Sequence, residues 1–180
     1  MDFQNNRSKE TAAYKAKKAL CRTVLLALGS ALERASTFSP QLKHELEDWE
    51  EGFVFTMGVL PDGPYMSAKK DNGRVRFLGM RKADPDVAIL FKNADAALPV
   101  FTAQIGTPVA GAQKRFIVEG NTSDTMKVAR ALDIVQSYLF PKLILKNILR
   151  RPPSLTGELA KMRARTYVEI VPALVANLTK

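Results

Sequence analysis

Arg115-Phe116-Ile117-Val118-Glu119-Gly120-Asn121-Thr122 is the stretch from which the architecture of this chain can be read. Its first five residues alternate and are rich enough in β-branched and aromatic side chains for a strand. Gly120-Asn121 then supplies a tight turn and a helix N-cap, with Asp124 close to the positive end of the helix that follows. Downstream, Val128, Leu132, Val135 and Leu139 recur at helical spacing, while Lys127, Arg130, Asp133 and Ser137 take the other side. One face of this helix must therefore be buried. Pro141 ends the pattern, and a more apolar segment follows in which Leu143, Ile144, Leu145, Ile148 and Leu149 alternate with Lys142, Lys146 and Arg150.

Upstream of the junction the period is two. Phe53–Leu60, Tyr65–Lys70, Arg74–Met80 and Val87–Phe91 read as four successive strands, separated by Pro61-Asp62-Gly63-Pro64, by the Asn72-Gly73 hairpin and by Ala83-Asp84-Pro85-Asp86. Four strands in succession predict an antiparallel meander. Asn93 is a good cap for a helix over 94–105, and Gly106, Pro108 and Gly111 break the chain into short helical pieces before the fifth strand. Lys9 to Ala35 predicts a long helix whose stripe Ala13, Ala16, Leu20, Val24, Ala27 and Ala31 calls for close packing. Ser39-Pro40 opens a short helix through Trp49, closed by Gly52. The expected fold is α+β: a five-stranded, mainly antiparallel sheet covered by helices on one face, with extra N- and C-terminal helices. The corresponding division is an N-terminal helical extension over 1–38, a central domain over 39–150 and a helical tail over 151–180.

Charge is distributed unevenly. The chain carries a formal +9, but residues 7–22 hold six Lys/Arg against one Glu and residues 141–165 hold seven against one, so the remainder is slightly acidic. Basic ends interleaved with Leu and Ile suit an anionic lipid surface better than the phosphate tracking of a nucleic-acid reader. No stretch approaches the ~20 apolar residues that span a bilayer, and Val24–Leu28 is short for the apolar region of a secretion signal. With a single cysteine, Cys21, there is no internal disulfide, and the expected location is cytoplasmic, with peripheral contact to the inner membrane face.

Reactive constellations are scarce. His44 stands alone in a helix beside Glu45, Glu47, Asp48, Glu50 and Glu51, which read as a solvated acidic face. Cys21 lies in the small-residue stripe of a helix and reads as a buried, inert thiol. No nucleophile elbow, phosphate loop or dinucleotide fingerprint occurs, so no catalytic residue, metal ligand or cofactor is expected.

Asp86-Val87-Ala88-Ile89-Leu90-Phe91, a short helix, and then Arg115 to Thr122 running into an amphipathic helix resemble the sterol carrier protein type 2 domain. The resemblance covers about residues 45–150 and is closest to single-domain bacterial members, among them lipid-binding accessory proteins of ubiquinone synthesis. It departs in the long basic helix before Ser39 and in the ending Leu178-Thr179-Lys180, which is not the peroxisomal signal of eukaryotic members. The resemblance implies an apolar tunnel between sheet and helices that holds a fatty acid, acyl-CoA, phospholipid, sterol or isoprenoid quinone. Strand parity and helix phase supply candidates for its walls: Phe55, Met57, Val75, Phe77, Ile89 and Phe91 from strands, and Leu98, Phe101, Ile105, Leu132, Val135 and Leu139 from helices. Lys142, Leu143, Ile144, Lys146, Ile148, Arg150 and Arg151 are the candidates for membrane contact. The expected function is non-enzymatic binding and transfer of a hydrophobic ligand. The alternative is an accessory module presenting a lipid-like intermediate to biosynthetic enzymes, for example in quinone synthesis.

Overall fold

The computed structural model describes residues 3–102 and 104–139, together with positions 164 and 168. Its elements are α1 (Phe3–Phe38), α2 (Pro40–Glu47), β1 (Val54–Val59), β2 (Tyr65–Asp71), β3 (Arg74–Gly79), β4 (Val87–Phe91), α3 (Ala94–Phe101), α4 (Thr107–Ala112), β5 (Phe116–Gly120) and α5 (Thr122–Leu139). The strands form one five-stranded sheet in the order β3-β2-β1-β4-β5, and α1, α3 and α5 pack on it, so the architecture is α+β with helices on one face.

The expected four-strand meander is corrected. Strands β1, β2 and β3 do follow one another antiparallel, but β4 lies beside β1 and parallel to it. The reason is visible at the outer edge of β3, where α1 already occupies the position a fourth strand would take. The Val75 N–H donates to Ser36 Oγ (3.1 Å) and the Phe77 N–H to Glu33 Oε1 (3.2 Å). With that edge capped, the chain crosses the back of the sheet through residues 80–86 and pairs with the free side of β1. A polar relay secures the crossing: Ser67 Oγ donates to the Arg81 carbonyl (2.8 Å), accepts the Ala83 N–H (3.0 Å) and meets Thr56 Oγ1 (2.7 Å). Ser67 and Thr56 are fully buried, so this mutual satisfaction is what makes their burial tolerable.

Local chemistry sets the remaining boundaries. Asn72 and Gly73, at φ 52 and 71, form the expected hairpin turn. The helix expected over 94–105 ends at Phe101: Thr102 closes it on the Leu98 carbonyl, and the N–H groups of Gln104 and Ile105 both reach the Pro99 carbonyl. The helix opened by Ser39-Pro40 stops at Glu47, short of Trp49. The alanine stripe of α1 packs only in its second half: Val24 and Ala27 are half-buried and Ala31 fully buried, whereas Ala13, Ala16 and Leu20 are exposed. On α5, Arg130 lies at the surface as expected, but Lys127 and Asp133 are half-buried and Ser137 buried, its hydroxyl donating to the Ile134 carbonyl (2.6 Å).

Candidate functional site

The candidate site is the apolar interior between the sheet and the helices, and pleat geometry builds it first. In the pairing register Phe55 stands opposite Ala68 and Val87, Met57 opposite Met66 and Ile89, and Val59 beside Phe91, so these side chains share one face of the sheet. Phe77 and Val75 join that face through Ala68 and Lys70, and Phe116 and Val118 through Phe91 and Ile89. Phe91 then meets Phe101 of α3 and Phe116 of β5 edge-on, at ring centroid distances of 4.9 and 5.5 Å.

All the wall candidates read from parity and phase fall in this interior. Phe55, Met57, Val75, Ile89, Phe91, Phe101, Leu132 and Val135 are buried members of one continuous apolar cluster. Phe77, Leu98, Ile105 and Leu139 are half-buried and pack against it, as do Phe116 and Ile134, which the sequence reading did not select. The membrane-contact candidates Lys142, Leu143, Ile144, Lys146, Ile148, Arg150 and Arg151 lie outside the described residues.

The junction that anchors β5 to α5 has a steric cause. Gly120 sits at φ 106, and a Cβ there would stand 2.2 Å from the Asp86 carbonyl oxygen, so only glycine permits the strand to approach β4 so closely as it turns. Asn121 then accepts the Ser123 N–H on its side-chain oxygen (2.8 Å), capping α5. A second glycine, Gly29, allows α1 to lie on the sheet, since a Cβ there would stand 2.5 Å from the Phe77 ring.

Parity alone also puts Lys70 inward, with Met66 and Ala68, although a charge at that position was not singled out. Lys70 is 8% exposed, and its ammonium donates to the carbonyls of Leu46 (2.7 Å) and Trp49 (2.6 Å) at the end of α2. The Leu46 carbonyl, in the last turn of α2, also accepts the Trp49 N–H (3.2 Å), so the ammonium adds a second donor there, and a cation at this end is favoured by the helix dipole. Tyr138 joins α5 to α2 in a similar way, its hydroxyl 2.7 Å from Ser39 Oγ, the N-cap of α2. Burial raises the Tyr138 pKa, against the lowering effect of that hydrogen bond.

Electrostatics elsewhere is structural in character. Burial, reinforced by Asp95, pushes the Cys21 thiol up to about 11, so it is protonated and unreactive at neutral pH. His44 is exposed and pairs with Glu47 (3.1 Å). Of the acids around it, Glu45 is drawn into an ion pair with Arg130 (2.7 Å), and Glu51 accepts the Asn72 and Gly73 N–H groups at the hairpin. Burial pushes Asp133 up to about 6, and its Oδ1 is buried without a hydrogen-bond partner. Among the described residues no group of His, Cys, Asp and Glu is arranged to hold a metal ion, and no helix is long and apolar enough to cross a membrane.

No family model matches the chain, and no curated protein matches it. Among solved structures it is similar to the UbiJ-SCP2 ubiquinone synthesis protein, at 17% identity over 70% of this chain and 97% of that one, with a TM-score of 0.42. It is also similar to a sterol carrier protein 2, at 13% identity over 64% and 95% of the two chains and a TM-score of 0.46. The sterol carrier protein domain 2 of Helicoverpa armigera matches at 17% identity over 60% and 84%, with a TM-score of 0.41. These are domains of the family that the Gly120–Asn121 junction resembles.

Proposed function

We propose that this chain is a non-enzymatic carrier of a hydrophobic ligand, held by the apolar interior between sheet and helices and exchanged at an anionic membrane surface. The observation that carries the reading is the convergence of wall candidates from separate parts of the chain on one interior, against which half-buried Leu98, Ile105, Phe116 and Leu139 also pack. An acyl or isoprenoid chain taken into this interior would be driven by burial alone, at about 0.8 kcal/mol per CH₂ removed from water. That suffices for micromolar affinity after the entropic costs of binding. No reacting group is required, and the protonated Cys21 and exposed His44 fit that role.

The membrane half of the proposal rests on sequence. Lys142, Lys146 and Arg150 recur four apart beside Leu143, Ile144 and Ile148, with Arg151 extending the patch, which is the composition of a helix lying in the lipid headgroup plane. Each cation near an anionic leaflet contributes on the order of 1 kcal/mol, and such contact is consistent with a cytoplasmic protein peripheral to the inner membrane.

Transfer of a fluorescent fatty acid between vesicles tests both halves. The protein is expected to take up the probe saturably and to accelerate its transfer between vesicles containing phosphatidylglycerol. The triple variant Lys142→Glu, Lys146→Glu, Arg150→Glu should keep uptake from solution but lose most of the acceleration. Absence of uptake across fatty-acid, sterol and quinone probes would remove the carrier reading; undiminished transfer by the triple variant would move the membrane contact to the N-terminal helix around Lys15, Lys17 and Lys18.

A further inference from the structure

The two edges of the sheet are treated differently. At β3 the outward amides of Val75 and Phe77 are taken by side chains of α1, and exposed Arg74 and Arg76 flank them. At β5 no such cover exists among the described residues: Ile117 is 45% exposed and Val118 37% exposed, and the strand holds neither proline nor bulge. An uncapped apolar edge is a template for another strand.

Register identifies which groups that edge offers. The Lys92 N–H donates to the Arg115 carbonyl (3.1 Å), which makes Arg115, Ile117 and Glu119 the residues whose backbone groups bond toward β4. The N–H and C=O groups of Phe116, Val118 and Gly120 therefore point outward. Two copies of β5 pairing antiparallel about Ile117 would match these outward groups, with Phe116 of one copy opposite Val118 of the other. In the same register Ile117 meets Ile117 and Arg115 meets Glu119 of the second copy, on both sides of the two-fold axis. These fall at the non-hydrogen-bonded positions, where facing side chains approach most closely. Shifting the centre to Val118 sets Ile117 against Glu119, and shifting it to Glu119 sets like charges together. The sequence Arg-Phe-Ile-Val-Glu is thus self-complementary in one register.

We propose that β5 is a self-association edge, through which two copies of this chain join their sheets antiparallel about Ile117. The Glu119 side chain makes no hydrogen bond or ion pair among the described residues, so its carboxylate is available to the second copy. Arg115 rests its Nε on the Gln113 side-chain oxygen (2.5 Å) and one terminal nitrogen 3.4 Å from the Asp95 carbonyl, both neutral acceptors, so among the described residues no carboxylate neutralises its charge. The pairing is isologous and closes on itself, so it yields dimers and not fibres.

Sedimentation equilibrium of the full chain, with folding followed by circular dichroism and thermal melting, tests this. The wild type is expected to dimerise reversibly. Glu119→Arg, which sets two arginines opposite each other, should weaken the dimer by about tenfold or more, and adding Arg115→Glu to it should recover most of the loss. Val118→Pro, which removes an outward N–H that bonds nothing in its own sheet, should weaken the dimer independently of charge. A protein still monomeric at about 100 μM, well above a micromolar Kd, would overturn the proposal. So would a dimer indifferent to Glu119→Arg and Val118→Pro, or a double charge swap that stays as weak as the single reversal.

Discussion

Gly120 and Asp133 hold opposite kinds of constraint at the scale of one residue. Gly120 combines a backbone angle that side chains resist with a site where a Cβ would overlap the Asp86 carbonyl. Gly120→Ala is therefore expected to cost about 2–4 kcal/mol in urea unfolding, far more than a surface glycine in a turn. Asp133 carries an electrostatic cost instead. Its folded pKa, about 6, lies above the ordinary 3.8, so the unfolded chain releases the proton first. The stability associated with the protonated carboxyl is complete below about pH 4, falls as pH rises through 6 and stays lower beyond. Asp133→Asn cannot ionise and should be more stable than the wild type by about 1–2 kcal/mol at pH 7.5, an advantage that disappears by about pH 4. Matched urea titrations at the two pH values check this; a pH-independent difference would contradict it. The glycine was legible in the sequence because a Gly-Asn pair between a strand and a helix has few other uses. The aspartate was not, since helix phase assigns it to the solvent side and nothing local signals that it is half-buried.

Packing between elements shows where helical and sheet preferences yield to each other. Gly29 is the one weak helix former in the buried half of α1, and the Phe77 ring fills the space its missing side chain leaves. On propensity alone Gly29→Ala should stabilise α1 by about 1 kcal/mol. Here it is expected to destabilise by about 1–3 kcal/mol, because the methyl group must displace an aromatic ring held between helix and sheet. In a Phe77→Ala background the same substitution should become neutral or stabilising, and this reversal of sign in a double-mutant cycle is the measurement. Additive effects would mean that the ring moves aside at little cost. Strand positions, the hairpin at Asn72-Gly73 and the helix caps at Ser39 and Asn93 were all legible, since each depends on a few adjacent residues. The place of β4 was not. It depends on Ser36 and Glu33 reaching β3 across about 40 residues of sequence, a contact that periodicity does not report, and so a meander was expected where the chain crosses back to β1.

For the molecule as a whole, strand parity and helix phase identified which side chains face the interior, because both follow from backbone geometry. Neither distinguishes a filled core from walls that part around a ligand, since the residues are the same in both cases. The basic ends carry the excess charge and the interior carries the apolar surface, which is the division of labour expected of a carrier that loads at a membrane. Native mass spectrometry of the protein purified without detergent, repeated after organic extraction, tests the central claim most directly. The account predicts a fraction of the protein with added mass that disappears on extraction and reappears in the organic phase as a single class of lipid or isoprenoid. A protein of one unliganded mass before extraction, which also fails to acquire mass when incubated with fatty acids, sterols and quinones, would contradict it.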